Sequence, residues 1–364
     1  MADIAPKIIQ TEPEPEPEHI LEQKRKGMRF PSWHQLALGG IALISIFMNF
    51  YQLGANGFGT YYPPAVRSMM DNWHNFFFAS YDPGGFVTVD KPPVGFWFQV
   101  LSAKIFGFNA VSILLPQALA GVLSVLLLYY LVRRHFGVVA GLLAALALAI
   151  TPISVVTNRD VTIDSTLALF LLTGAWAVIR AAETGKLRWL LLSAVLVGIG
   201  FNIKMLEAYL VVPAYGLLYL LAAPTSIRRR IGHLALAGLV LLVVSFSWIA
   251  AVDLTPASQR PYVDSTQDNS ELSLALGYNG IERLIGGIFG GRGGFRTGTP
   301  ATNGNGGATN FGRNTAGRPQ PNAGGFGGIF DTGAASPLRL FQESLGSQVS
   351  WLLPIALLGM LALA

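Results

Sequence analysis

Apolar runs of membrane-crossing length recur along this chain, at about 34–53, 108–132, 137–157, 163–181, 189–206, 208–223, 232–251 and 348–364. A bilayer core about 30 Å thick is crossed by roughly 20 residues of helix. Inside that core only helices and closed barrels satisfy every backbone N–H and C=O. The runs therefore predict an all-α multi-spanning membrane protein with eight spans. Composition agrees, because 52% of the 364 residues are hydrophobic and 12% charged, with a mean hydropathy of +0.48. That is outside the balance of soluble domains. Cysteine is absent, which excludes disulfides, thiolate catalysis and Cys-ligated zinc.

The formal net charge of +5 does not point to nucleic acid, because the basic residues fall in short clusters between apolar runs. They read as topology signals instead. With the N-terminus in the cytoplasm, every inner connection is basic: Lys24, Arg25, Lys26 and Arg29, then Arg133 and Arg134, then Arg180, Lys186 and Arg188, then Arg228, Arg229 and Arg230. The outer connections hold Arg67, Lys91, Lys104, Arg159 and Lys204 singly.

Residues 1–27, with the Pro/Glu repeat "TEPEPEPE", read as a disordered cytoplasmic tail. Residues 28–276 form a transmembrane domain whose first outer loop runs over 54–107. Residues 277–336 are rich in Gly and Asn and read as a flexible outer loop. Its glycine pairs lack the strand and helix of a nucleotide fingerprint. Residues 337–364 read as an interfacial segment and a further span that stops inside an apolar run, as a piece of a longer protein would.

Three outer clusters combine acid and base. In "SYDPGGFVTVDKPPVGFW", Asp82-Pro83-Gly84-Gly85 has turn chemistry. Asp90 and Lys91 then precede an interfacial helix whose free N–H groups, with the lysine, suit a phosphate. The plainer alternative is that Asp90 caps that helix and Lys91 meets lipid headgroups. In "VVTNRDVTIDSTLALF", Asp160 and Asp164 are expected on one face of a starting helix beside Arg159, and like charges so placed need a cation, a proton or a ligand. Helix capping by Asp160 is the alternative. In "GIGFNIKMLEAYLVVP", Lys204 and Glu207 are placed for a buried salt bridge or, alternatively, for Lys204 to join an outer anion site. The five histidines have no chelating spacing. Asp pairs could hold Mg²⁺ or Mn²⁺ through water and substrate phosphate.

The ordered set "DPGGFVTVDKPPVGFW", "LPQALAGVLSVLLLYYLVRRHFG", "TPISVVTNRD" and "GIGFNIKMLEAYLVVP" resembles the bacterial GT-C membrane glycosyltransferases of the aminoarabinose-transferase and protein O-mannosyltransferase superfamily. "RPYVDSTQDNSELSLALGYNGIERL" and "LRLFQESLGSQVSWLLP" resemble its mannosyltransferase branch. The resemblance implies a GT-C bundle at the cell membrane that moves a mannose-like sugar from a polyprenyl-phosphate donor to a hydroxyl acceptor (lipid, glycan or protein) on the non-cytoplasmic face. It implies that Lys91 meets the donor phosphate and that Asp160 is an acid at the start of the fourth span. Many relatives carry an acid early in the first outer loop, but here none precedes Asp71, so the base role falls to Asp82 or Asp90. Lys91, Arg67 and Lys204 are then expected at the phosphate, with Arg159, Asp160, Asp164 and Glu207 around sugar or acceptor.

A transporter or lipid flippase is the rival reading, since intramembrane charges and interrupted spans also mark transport paths. Against it, the charges gather on one face and no internal repeat is visible. A surface scaffold would leave the charged clusters unexplained.

Overall fold

The computed structural model describes residues 32–55 and 57–281, and within that range the regular structure is almost wholly helical. The elements are α1 (Trp33–Phe50), α2 (Tyr62–Asp71), α3 (Trp73–Phe77), α4 (Val94–Phe106), α5 (Ala110–Ile150), α6 (Pro152–Asn158), α7 (Asp164–Thr184), α8 (Leu187–Lys204), a 3₁₀ turn (Met205–Val211), α9 (Val212–Ala222), α10 (Ile227–Asp253) and α11 (Glu271–Leu276). Extended structure among the described residues is limited to two isolated bridges, Ser80 with Thr88 and Val87 with Tyr262.

Among the described residues five helical segments are long and apolar enough to cross a membrane, and two of them are interrupted. Helix α5 breaks at Gly137, whose φ of 86° and ψ of 173° are not helical. A Cβ on Gly141 would stand 3.0 Å from the carbonyl oxygen of Tyr129, whereas a straight helix would separate the two by about 18 Å. The chain therefore doubles back at one residue, and α5 is two antiparallel limbs. The segment from Leu187 to Ala222 breaks at Met205. The described part thus contains the first seven expected runs as separate helical limbs, while the expected run at 348–364 lies outside the described residues. So do the tail 1–27, most of the Gly/Asn-rich segment and all of 337–364.

Helix α8 packs between α7 and α10, and α1 lies along α5. Leu43, Leu143, Leu217, Leu239 and Val243 point outward and are exposed, while Gln117 and Ser245 are fully buried. That inversion of the soluble pattern suits a lipid surround.

Local signals set the ends of the helices. Asn109 caps α5 by accepting from the Ser112 N–H at 3.0 Å, and α7 stops at Gly185 in the left-handed conformation. Successive limbs alternate in direction, which separates two kinds of charge. One end carries Arg134, which holds Glu183 with two hydrogen bonds of 2.7 Å, near the turn where Gly185 meets Thr225. The other end carries Asp90, Lys91, Asp160, Asp164 and Lys204, over the largest core, which includes Val89, Phe96, Ile163, Ile203 and Met205.

Candidate active site

The first outer loop is folded against the bundle by its turns. Asp82 accepts from the N–H groups of Phe86 and Val87, both at 3.0 Å through Oδ2, and Gly85 closes the turn with φ +69°. Asp82 is therefore engaged as a turn former, as its neighbours Pro83, Gly84 and Gly85 foretell. The loop is also zipped to the connection after α10. Thr88 N–H donates to the Tyr262 carbonyl at 2.9 Å, Tyr262 N–H to the Phe86 carbonyl at 2.8 Å, and Asp264 N–H to the Thr88 hydroxyl at 3.1 Å.

These contacts deliver Asp90 and Lys91 into the interior. Lys91 is 5% exposed and Asp90 8%. The Lys91 ammonium donates to Asp90 Oδ2 at 2.7 Å, to the Asp90 carbonyl at 3.2 Å and to Asn279 Oδ1 at 2.7 Å. Tyr62 donates to Asp90 Oδ1 at 3.1 Å. Nearby Tyr61 donates to Asp264 at 3.2 Å. Burial, then the charges of Asp90 and Asp264, push the Tyr61 hydroxyl well above the usual phenol range, so it stays a hydrogen-bond donor. Asp90 does not cap α4, since that place is taken by Pro93.

Lys204, at the last position of α8, lies against Asp164 and 3.0 Å from Glu207. The expected Lys204–Glu207 bridge is present, and the structure adds Asp164 from α7 as a second partner. Residue Met205 follows with φ 49°, a conformation unusual for a non-glycine residue. That bend ends α8 and turns Lys204 toward α7.

The expected helical pairing of Asp160 with Asp164 needs correction. Helix α7 begins at Asp164, and its cap is Ile163, so Asp160 lies in the preceding turn and neither shares a helix face with Asp164 nor caps α7. The physical reason is the bend at 159–162, which a pattern of four-residue spacing does not register. The two charges still interact, because burial first and the Asp164 charge as a smaller contribution raise the Asp160 carboxyl above its ordinary range, against the lowering effect of the Val161 N–H. That N–H donates to Oδ1 at 2.8 Å.

Arg159 points away from this carboxylate and donates to the carbonyls of Met48 at 2.8 Å and Gln52 at 3.5 Å, at the end of α1. Arg67 stands apart, paired with Asp71 at 3.8 Å on an exposed face.

Asn279 links the Lys91 pair to the end of α8, because its amide bonds Lys91 and the Asp90 carbonyl and reaches the sulfur of Met205, the residue after Lys204, at 3.3 Å. Ile163 and Ile203 also crowd Gly95, where a Cβ would meet Ile163 at 2.5 Å. The start of α4 is thereby held against the ends of α7 and α8. Sequence reasoning missed Asn279, Tyr61, Tyr62 and Asp264. The only available hint for Asn279 was an amide between glycines directly after an apolar turn.

Outside this cluster, α4 presents an apolar groove. A cavity of about 470 Å³ is lined by Trp73, Phe76, Val94, Trp97 and Lys104 among others. A second of about 310 Å³ continues past Phe98 and Leu101 to Pro116, Leu119 and Phe170.

Carboxylates and lysines, with Asp90 and Lys91 buried, thus gather at one end of an apolar helical bundle. Residues 90–249 match the family model for dolichyl-phosphate-mannose-protein mannosyltransferase, a class of membrane glycosyltransferase. The chain is 43% identical over 368 residues to "Putative mannosyltransferase YycA" of Bacillus subtilis (strain 168), covering 88% of this chain and 54% of that protein. It is 30% identical over 168 residues to the undecaprenyl phosphate-alpha-4-amino-4-deoxy-L-arabinose arabinosyl transferase of Pseudomonas paraeruginosa (strain DSM 24068 / PA7), covering 45% of this chain and 30% of that one. The crystal structure of ArnT from Cupriavidus metallidurans in the apo state overlaps 60% of this chain and 42% of its own, with a TM-score of 0.46 and 25% identity. Over residues 90–249 the chain is thus similar to a family of membrane mannosyltransferases, and over 88% of its length to a putative bacterial mannosyltransferase. It spans about half the length of the YycA relative.

Proposed function

We propose that this chain carries the transfer centre of a membrane glycosyltransferase. It moves a mannose-like sugar from a polyprenyl-phosphate donor to a hydroxyl acceptor on the non-cytoplasmic face. The observation that carries the reading is that Lys91 and Lys204, 113 residues apart in sequence, are each ion-paired to a carboxylate, while Asn279 bonds both Lys91 and Met205, the residue after Lys204. The end opposite holds Arg133, Arg134, Arg180 and Arg228–Arg230, and the preference of basic residues for the cytoplasm supports the outward placement of the site.

Three tasks fall to named groups. Lys91 and Lys204 neutralise the departing polyprenyl phosphate, as cations aimed at developing charge do. The groove along α4 receives the lipid tail. Asp160 takes the proton of the acceptor hydroxyl as that oxygen attacks C1 and the C1–phosphate oxygen bond breaks, which inverts the anomeric centre. Asp160 suits the base better than Asp82 or Asp90. Asp82 is spent on its turn and Asp90 on Lys91, while Asp160 has raised proton affinity. Asp164 and Glu207 orient Lys204. Among the described residues no group of three or more His, Asp and Glu side chains is arranged to hold a metal. On this reading Mg²⁺ or Mn²⁺ would enter only with substrate phosphate, and chelation before donor addition tests for it.

The experiment is to supply the purified protein with labelled polyprenyl-phosphate mannose and candidate hydroxyl acceptors. Label transfer that is lost in Lys91→Met supports the reading. Movement of intact donor across vesicles without bond cleavage would replace it with a flippase.

A further inference from the structure

The turn that follows α11 lies almost 190 residues from the Lys91 loop in sequence, yet it forms the far wall around the ammonium. Asn279 is 4% exposed. Its Oδ1 accepts from Lys91 Nζ at 2.7 Å and its Nδ2 donates to the Asp90 carbonyl at 2.7 Å. The orientation of this amide is fixed by its partners. A flipped amide would set NH₂ against the ammonium and oxygen against a carbonyl oxygen, two repulsions in place of two bonds. Beside it, the Tyr278 ring lies 5.4 Å from Nζ and offers its π face to the cation. Gly280 completes the turn, because a Cβ there would stand 2.5 Å from the Ala275 carbonyl oxygen.

A lysine is a point charge on four rotatable bonds, and fixing it costs side-chain entropy. Asp90 alone would draw Nζ toward its own carboxylate. Asn279 adds a neutral acceptor at the same 2.7 Å as the carboxylate, so the ammonium is fixed by two partners of which only one carries charge. We infer that Asn279, supported by Tyr278 and Gly280, is the positioning residue that aims Lys91 at an anionic phosphate. The inference rests on the reading of Lys91 as the donor-phosphate contact. It adds that the segment after α10 supplies half of that contact's geometry.

The test compares wild type with Asn279→Ala, Asn279→Ser and Asn279→Asp in the full chain. Two readouts are used: steady-state kinetics with polyprenyl-phosphate mannose, and the rate at which an amine-acylating reagent modifies Lys91, followed by peptide mass spectrometry. Removing a hydrogen bond to a charged group should raise the donor KM roughly tenfold in Asn279→Ala, with a smaller change in kcat. Lys91 acylation should become faster as the ammonium loses a partner. Asn279→Asp should raise KM further, because a second carboxylate neutralises the lysine that the phosphate needs. Asn279→Ser, which keeps a small polar group, serves if the alanine variant does not fold. A folded variant with donor KM and Lys91 acylation both within twofold of wild type overturns the inference. If acylation changes as expected but wild type transfers no sugar, the positioning role stands and the glycosyltransferase reading falls.

Discussion

The guanidinium of Arg159 donates to the carbonyl of Met48 at 2.8 Å, across a sequence separation of 111 residues. It closes the C-terminal end of α1, where carbonyls lack helical partners. Arg159→Gln should therefore lower stability by about 1–2 kcal/mol while leaving the donor KM within about twofold. Thermal unfolding in detergent together with donor titration checks this. A large KM rise with unchanged stability would return Arg159 to the substrate, the role its neighbour Asp160 suggests.

The Asp90–Lys91 pair has both side chains largely buried. Breaking such a pair from one side costs about 3–5 kcal/mol because it strands a charge, whereas removing both charges costs much less. Lys91→Met should thus destabilise more than the double variant Asp90→Asn/Lys91→Met. Both should lose transfer. Equal stability of single and double variants would mean that Asn279 and Tyr62 already compensate the stranded carboxylate.

With Asp160 as base, Asp160→Asn should reduce turnover roughly 10²–10⁴-fold while donor binding persists. The sign of the pH dependence follows from its raised proton affinity. Activity is present above the Asp160 pKa and lost as pH falls through it, so the acidic limb of kcat/KM should lie above the ordinary aspartate value of 3.8. A pH profile whose acidic limb sits at or below that value would move the base elsewhere.

Glu271 is 1% exposed, and neither carboxyl oxygen has a hydrogen-bond partner among the described residues. Burial, then the charge of Asp253, opposed by Arg260, pushes it up to about 8 from 4.5. The folded state therefore keeps a proton that the unfolded state releases. Stability should be flat below about pH 4.5, fall as pH rises to about 8, and level off beyond. Glu271→Gln mimics the neutral acid and should flatten that slope, with a gain on the order of a few kcal/mol near pH 8. Unfolding midpoints of both proteins across that range decide it.

Much of the bundle was legible because spanning helices announce themselves by length and apolar content. The breaks at Gly137 and Met205 fall within two residues of the gaps expected between adjacent runs, since a single backbone reversal suffices between them. The clusters around Lys91 and Lys204 were legible because charges beside apolar runs are costly. What was not legible depends on tertiary approach. The link from Asn279 to Lys91, the zipper between Thr88 and Tyr262, and the second partner of Lys204 join distant segments and leave no periodicity. The relation of Asp160 to Asp164 was misread for a local reason: the bend at 159–162 delays the helix, and spacing alone does not reveal where a helix begins.

The reversal at Gly137 has a consequence for biogenesis. With only one residue between its limbs, α5 offers no connecting loop long enough to be threaded separately through a translocon. The two limbs are therefore expected to enter lipid together as a hairpin, with Arg133 and Arg134 at its closed end. Lengthening that corner with a flexible linker would uncouple the two insertion events, and a glycosylation tag placed there would report whether the corner had crossed.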